Sequence, residues 1–140
     1  MDTSILDTSV RPKEVFAHPP RRVSAAEYLA IDDAAERRSE FIEGKIIPMA
    51  GASDSHIQIV TNFIFTLQSQ LLESDCAVFS NDARVQAGIS YYYPDAGVVV
   101  GERQKNATNN ALTNPTVLVE VLSDSTEHVD RGVKLRHYRR

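Results

Sequence analysis

The sequence predicts an α/β domain, a mixed sheet flanked by helices, and three observations lead there. Ile57, Val60, Ile64, Leu67 and Leu71 recur at spacings of three and four, the signature of one strong amphipathic helix. The runs 91–100 and 116–122 are instead rich in β-branched and aromatic residues and read as buried strands. The order helix, hairpin, helix, three strands, helix lacks the regular βαβα alternation of a doubly wound fold.

Residues 1–23 contain Pro12, Pro19, Pro20 and mixed charges without apolar periodicity, so a mobile N-terminal tail is expected there and the folded domain over 24–140. Ser24-Ala-Ala-Glu27 has the form of a capping box and starts a short helix through about Ile31. The charged stretch 32–39 is a loop or a frayed continuation. In 40–50, two apolar pairs flank Glu43-Gly44, a turn that tolerates positive φ, so this segment reads as a hairpin. Pro48 then requires an edge or a bulge on the second strand. Gly51, Ala52 and Ser53 lead into the amphipathic helix, expected over 53–72 and packed across a sheet. Three strands follow, Ala77–Ala87, Tyr91–Val100 and Thr116–Leu122, with a polar loop over 101–114. The last strand is the most apolar and is expected to be central in a five-strand sheet. Ser123–Thr126 is a turn and cap, and a final helix runs over 127–140.

The chain has 140 residues, of which 42% are hydrophobic and 24% charged, the balance of a soluble globular domain. A net charge of −4 means that polyanion binding needs a local patch. The single Cys76 excludes an internal disulfide framework and a multi-cysteine zinc site, and fits a cytoplasmic location. No apolar stretch is long enough to span a membrane. There is no glycine-rich nucleotide loop, serine elbow or His-Glu-x-x-His pair.

Two carboxylates stand out. Asp95 follows Tyr-Tyr-Tyr-Pro and precedes Ala-Gly-Val-Val-Val; Glu120 interrupts Thr-Val-Leu-Val-Glu-Val-Leu. A carboxylate in such surroundings is costly unless paired, hydrogen-bonded or metal-bound. From the residues alone, either the two meet on adjacent strands around a divalent cation, or they are structural or edge carboxylates, one of them paired with an arginine such as Arg84.

Glu40-Phe-Ile-Glu-Gly-Lys-Ile-Ile-Pro-Met-Ala-Gly-Ala-Ser53, His56, Tyr93-Pro-Asp95, Asn114-Pro-Thr-Val-Leu-Val-Glu-Val-Leu-Ser123, Ser125-Thr126, Asp130-Arg-Gly-Val-Lys134 and His137-Tyr138 resemble, in this order, the Uma family of restriction-endonuclease-like proteins, long filed as a domain of unknown function. The resemblance implies the PD-(D/E)xK nuclease fold and a hydrolase that cuts DNA with Mg or Mn. It implies Asp95 and Glu120 as metal ligands and a catalytic lysine. Two residues after Glu120, where that lysine usually stands, this chain has Leu122; Lys134 on the final helix is the candidate in its place. Asp124 stands where the family usually has proline.

Further residues carry open alternatives. Glu40 is a third acidic ligand or stands just behind the metal. Glu43 is a solvated hairpin residue or belongs to the site. His56 reaches a phosphate or packs. Arg84 pairs with Asp95 or Glu120, or contacts a phosphate. Lys134 lies within a run containing Arg131, Arg136, Arg139 and Arg140, which forms either a solvated helix end or a phosphate-contacting rim. Tyr138, four residues on, shares its face. Tyr91, Tyr92 and Tyr93 are expected to pack at an edge. Family members continue with further strands beyond this helix, so an exposed sheet edge and a homodimer are expected of a chain ending at Arg140. The rivals to the endonuclease are a non-catalytic interaction module and an inactive, truncated relic.

Overall fold

The computed structural model describes residues 21–140, so most of the expected tail, residues 1–20, lies outside the described residues. The last tail residue is docked: the Val23 N–H donates to the Gly44 carbonyl at 2.9 Å, and its side chain packs on a core of Tyr28, Phe41, Tyr91 and Ala111. Helix α1 spans Ala25–Ala34. Its capping box forms as expected, the Glu27 N–H reaching the Ser24 hydroxyl at 3.2 Å and the Ser24 N–H reaching the Glu27 carboxylate at 2.8 Å. The helix extends past Ile31 because Tyr28 and Asp32 are buried together, and Asp32 accepts the Ser39 N–H at 2.8 Å.

Strands β1 (Ser39–Ile42) and β2 (Lys45–Pro48) form the expected hairpin, with Glu43 at φ 50° and Gly44 at φ 87° in its tight turn. β2 is an edge strand, which accommodates Pro48. The single five-strand sheet is not found. Among the described residues seven strands make two sheets, and every strand pair is antiparallel. Two of the expected strands break. Ala77–Ala87 divides into β3 (Cys76–Ser80) and β4 (Val85–Ala87); Tyr91–Val100 divides into β5 (Ser90–Tyr92) and β6 (Ala96–Val100). Pro94 has no N–H for a ladder, and Asn81-Asp82 favours a turn, so both runs bend and cross from one sheet to the other. The larger sheet has the order β2-β1-β5-β4; the smaller is β3-β6-β7, with β7 at Val117–Val119. Gly97 lies opposite Phe79, and a Cβ there would come within 2.2 Å of the phenylalanine ring, so this position requires glycine.

β5 lies between β1 and β4, so Tyr91, Tyr92 and Tyr93 are buried rather than packed at an edge. Tyr91 stacks on Tyr28, and Tyr92 meets Tyr138 edge-on at 5.2 Å. Helix α2 (Asp54–Gln70) is capped by the Ser53 hydroxyl. It turns His56, Val60, Ile64 and Leu67, all half-buried, toward the protein, but fully buries no residue. Ile57, Ile59, Phe63 and Phe65 stay exposed, so the expected burial across a sheet is only partial. The last helix joins a turn of α3 (Glu127–Val129), a π-turn over Asp130–Lys134 and a turn of α4 (Leu135–Tyr138). Among the described residues no helix is long and apolar enough to cross a membrane.

Candidate functional site

The site forms at one end of the β6–β7 pair, where β7 is an edge of the smaller sheet rather than the central strand expected. Ala96 pairs with Val119, the last step of the β6–β7 ladder. One step further along that register, Asp95 stands opposite Glu120. Glu120 therefore follows β7 rather than occupying its centre. Asp95 Oδ2 accepts the Val121 N–H at 2.7 Å. His56 reaches in from the first turn of α2, its Nε2 3.0 Å from the Val121 carbonyl and 3.4 Å from Asp95 Oδ2. A carbonyl only accepts, so Nε2 carries the proton.

A third carboxylate comes from β1. Glu40 is buried, and its Oε1 accepts the Tyr93 N–H at 3.0 Å. Lys134 projects from the π-turn into the gap between Glu40 and Glu120, its Nζ 2.9 Å from an oxygen of each. Tyr138 donates to the same Glu120 oxygen at 2.8 Å. Asp130, one turn before Lys134, completes the ring. Its Oδ2 accepts from the Thr126 hydroxyl at 2.9 Å, whereas its Oδ1 is buried without a hydrogen-bond donor, 3.4 Å from Lys134 Nζ. The π-turn, in which the Leu135 N–H reaches back to the Asp130 carbonyl, sets Asp130 and Lys134 on the inner face. Such turns recur at functional positions.

The charges do not balance. Glu40, Glu120 and Asp130 surround one ammonium in low-dielectric surroundings. Burial pushes the Glu120 carboxyl up to about 7, more than Lys134 and Tyr138 pull it down. Burial likewise raises Glu40. Burial also opposes charge on Lys134, but Glu40 and Glu120 outweigh it and hold the lysine above its ordinary range. The ammonium is held firmly, and one cation shared among three anions leaves the carboxylates short of positive charge. Glu40, Glu120, Asp130 and Lys134, with Asp95 and His56, line a cavity of about 670 Å³. Among the described residues no three Asp, Glu, His or Cys side chains converge in a set that could hold a metal ion. Lys134 occupies the space where Glu40 and Glu120 would meet around one. The oxygen-rich donor set, the surplus of negative charge and the orphan Asp130 oxygen nonetheless suit a hard divalent cation.

A family model described as "Putative restriction endonuclease", Uma2, matches residues 25–140. The chain belongs to the Uma2 family. It is 38% identical over 121 residues to the uncharacterized protein sll1609 of Synechocystis, covering 84% of this chain and 68% of that protein. A second uncharacterized Synechocystis protein, slr1290, is 32% identical over 130 residues, with 89% and 68% covered. The fold matches the crystal structure of a putative nuclease belonging to DUF820 from Anabaena variabilis with a TM-score of 0.68 at 22% identity, over 82% of this chain and 66% of that one. The chain thus spans about two thirds of the length of each, and its fold is restriction-endonuclease-like.

Among the residues singled out in this Uma2 sequence, Asp95, Glu120, Glu40, His56, Lys134 and Tyr138 come together. Two expectations change, and Glu43 takes the solvated-hairpin place that was one of its two readings. Arg84 pairs with neither Asp95 nor Glu120: the break after Ser80 carries it away from the smaller sheet, and it binds Asp32 at 2.8 Å and Asp33 at 2.6 Å. Glu43 stays on the exposed turn, where it meets His137 Nε2 at 3.1 Å. Lys134 is not part of an exposed basic rim: it is buried, while Arg131, Arg136, Arg139 and Arg140 stay exposed. Asp130 escaped the sequence reading. Its spacing held the signal, because Asp130, Lys134 and Tyr138 recur every four residues and so share one helical face.

Proposed function

We propose that this chain is a metal-dependent endonuclease that hydrolyses phosphodiester bonds in DNA. The observation that carries this reading is the ring of buried carboxylates around Lys134, in the same cavity as Asp95 and His56 at the ends of two adjacent strands. Asp95, Glu120 and Glu40 are the groups that would hold Mg or Mn. Bound there, such a cation lowers the pKa of a water and neutralises charge on the scissile phosphate.

The protein's own groups do the rest. The Val121 N–H fixes the Asp95 carboxylate, and His56 holds the Val121 carbonyl beside it. The Tyr93 N–H fixes Glu40, and Tyr138 fixes Glu120. Lys134 supplies the positive charge that stabilises the pentavalent phosphate in the transition state. Exposed Arg131, Arg136, Arg139 and Arg140 offer phosphate contacts against an acidic overall charge. The exposed apolar side of α2 supports a homodimer, which would place two such sites for the two strands of a duplex.

A plasmid-nicking assay tests this in Mg, in Mn and with chelator, on the wild type, Lys134→Ala and Asp95→Ala. The expected result is metal-dependent nicking by the wild type alone. A second reading, a non-catalytic interaction module, has in its favour the half-exposed Leu122 at the usual lysine position. It is the reading to adopt if no nicking occurs in either metal. Equal nicking by all three proteins would mark a contaminant.

A further inference from the structure

Lys134 stands where the proposed cation belongs, and a buried oxygen beside it lacks a donor. Its ammonium lies 2.9 Å from Glu40, 2.9 Å from Glu120 and 3.4 Å from Asp130 Oδ1. The first two oxygens have other donors, the Tyr93 N–H and the Tyr138 hydroxyl. Asp130 Oδ1 has none, although the Asp130 side chain is only 4% exposed. An unmatched buried acceptor is costly, and one within reach of an ammonium is a ready second position for it. We infer that Lys134 is a displaceable internal counter-ion: it neutralises Glu40 and Glu120 in the metal-free protein and passes to Asp130 when a divalent cation takes its place between them.

This inference rests on the metal reading above and adds to it a role for Asp130, as a positioning residue that receives Lys134. The geometry asks little of the chain. The ammonium already lies 3.4 Å from Oδ1, and rotation about its flexible four-carbon stem carries it out of the gap to the far side of that oxygen. Two cations cannot share the gap between Glu40 and Glu120, since like charges at contact distance repel strongly in a low dielectric. The move also leaves Lys134 charged and beside the site, where a phosphate could meet it.

The test is calorimetric titration of Mn into the full chain as wild type, Lys134→Met, Asp130→Asn and the double variant. Lys134→Met removes the competing cation, so Mn should bind about tenfold tighter, the scale of one lost charge repulsion. Asp130→Asn removes the receiving carboxylate and should weaken binding about tenfold by the same reckoning. In the Lys134→Met background the Asp130→Asn effect should vanish, because no ammonium is left to receive. An effect that persists makes Asp130 itself a metal ligand and overturns the inference. Equal or weaker binding by Lys134→Met, with the wild type binding, overturns it while leaving the metal site standing. No binding by any of the four proteins overturns both. Should Lys134→Met not fold, lysine side-chain NMR on the wild type decides: the Lys134 ε-carbon signal should move on saturation with Mg, and an unmoved signal sinks the exchange.

Discussion

Arg84 and Lys134 are both cations held among carboxylates, and Tyr93 serves both clusters, through its hydroxyl in one and its backbone N–H in the other. Arg84 is saturated. Its guanidinium donates to the Tyr93 hydroxyl, the Asn109 carbonyl, Asp32 and Asp33. Asp32 is its one buried anion; Asp33 is 63% exposed and shares its charge with water. Lys134 faces three buried anions, and one of their oxygens has no donor. A matched pair with both oxygens of its buried carboxylate met is how a fold fastens two elements, here α1 to the segment that leads into β4. A mismatched ring keeps capacity for something positively charged. Burial alone does not separate the two; the count of charges and unmet acceptors does.

The largest expected effect breaks the matched side. Arg84→Ala leaves Asp32 buried without its cation and should cost about 3–5 kcal/mol of stability. Mn affinity should be unchanged in whatever fraction stays folded. Urea denaturation with and without Mn measures both quantities; a loss below about 1 kcal/mol would show a surface-type ion pair and erase the contrast.

On the mismatched side the expected loss is in chemistry. Lys134→Ala should lower turnover by about 10²–10³, as removal of one preorganised charge stabiliser does, with a smaller change in DNA affinity. Single-turnover nicking beside a binding isotherm separates the two. If the loss lies wholly in binding, Lys134 acts as a phosphate anchor.

The clusters should also answer pH with opposite signs. Asp32 is buried, but hydrogen bonds from Tyr93, Ser39 and Arg84 hold it below its ordinary range. Its stabilising share is therefore present above the unfolded value of 3.8 and lost as pH falls. Glu120 is raised by burial from 4.5 to about 7, so the folded state holds its proton longer than the unfolded chain. Without metal, the share of stability from Glu120 is fully present below about 4.5 and is lost as pH rises through about 7. Glu120→Gln should flatten that loss and leave the acid limb alone. Melting temperatures across pH in chelator check this; a wild-type curve that climbs from pH 4.5 to 7 (the window the Glu120 shift sets) would contradict it.

Helix caps, the hairpin turn and the half-buried stripe of α2 were legible because each is a local matter of spacing and backbone preference. Asp95 and Glu120 were legible too, since a carboxylate amid β-branched residues needs a reason. The sheet count was not. Whether 91–100 is one strand or two depends on where Pro94 meets the other sheet, which the residues between Tyr91 and Val100 do not encode by themselves. The two bends carried the consequences: the one at Pro94 set the tyrosines against the larger sheet, and the one after Ser80 took Arg84 to Asp32. Asp130 was missed because an acidic residue four before a lysine is usually a surface ion pair, as Glu127 and Arg131 are here. Only the tertiary packing of the π-turn turned the same spacing inward.

The smallest expected effect lies at the residue both clusters share. Tyr93→Phe keeps the backbone N–H that holds Glu40 and removes the hydroxyl that donates to Asp32 at 2.6 Å and accepts from Arg84 at 3.0 Å. Asp32 keeps Arg84 and the Ser39 N–H as donors, so the loss should be that of a hydrogen bond to a charged group, about 1.5–3 kcal/mol. If the clusters are independent, Mn affinity and nicking rate should match the wild type. If the hydroxyl instead anchors the strand bend that positions Glu40, Mn affinity should fall with stability. Pairing Tyr93→Phe with Asp32→Asn in a double-mutant cycle separates these outcomes. Coupling seen in the denaturation energies alone keeps the effect within the matched cluster. Coupling seen in Mn affinity as well would mean that the matched cluster sets the geometry of the mismatched one, with Tyr93 as the link.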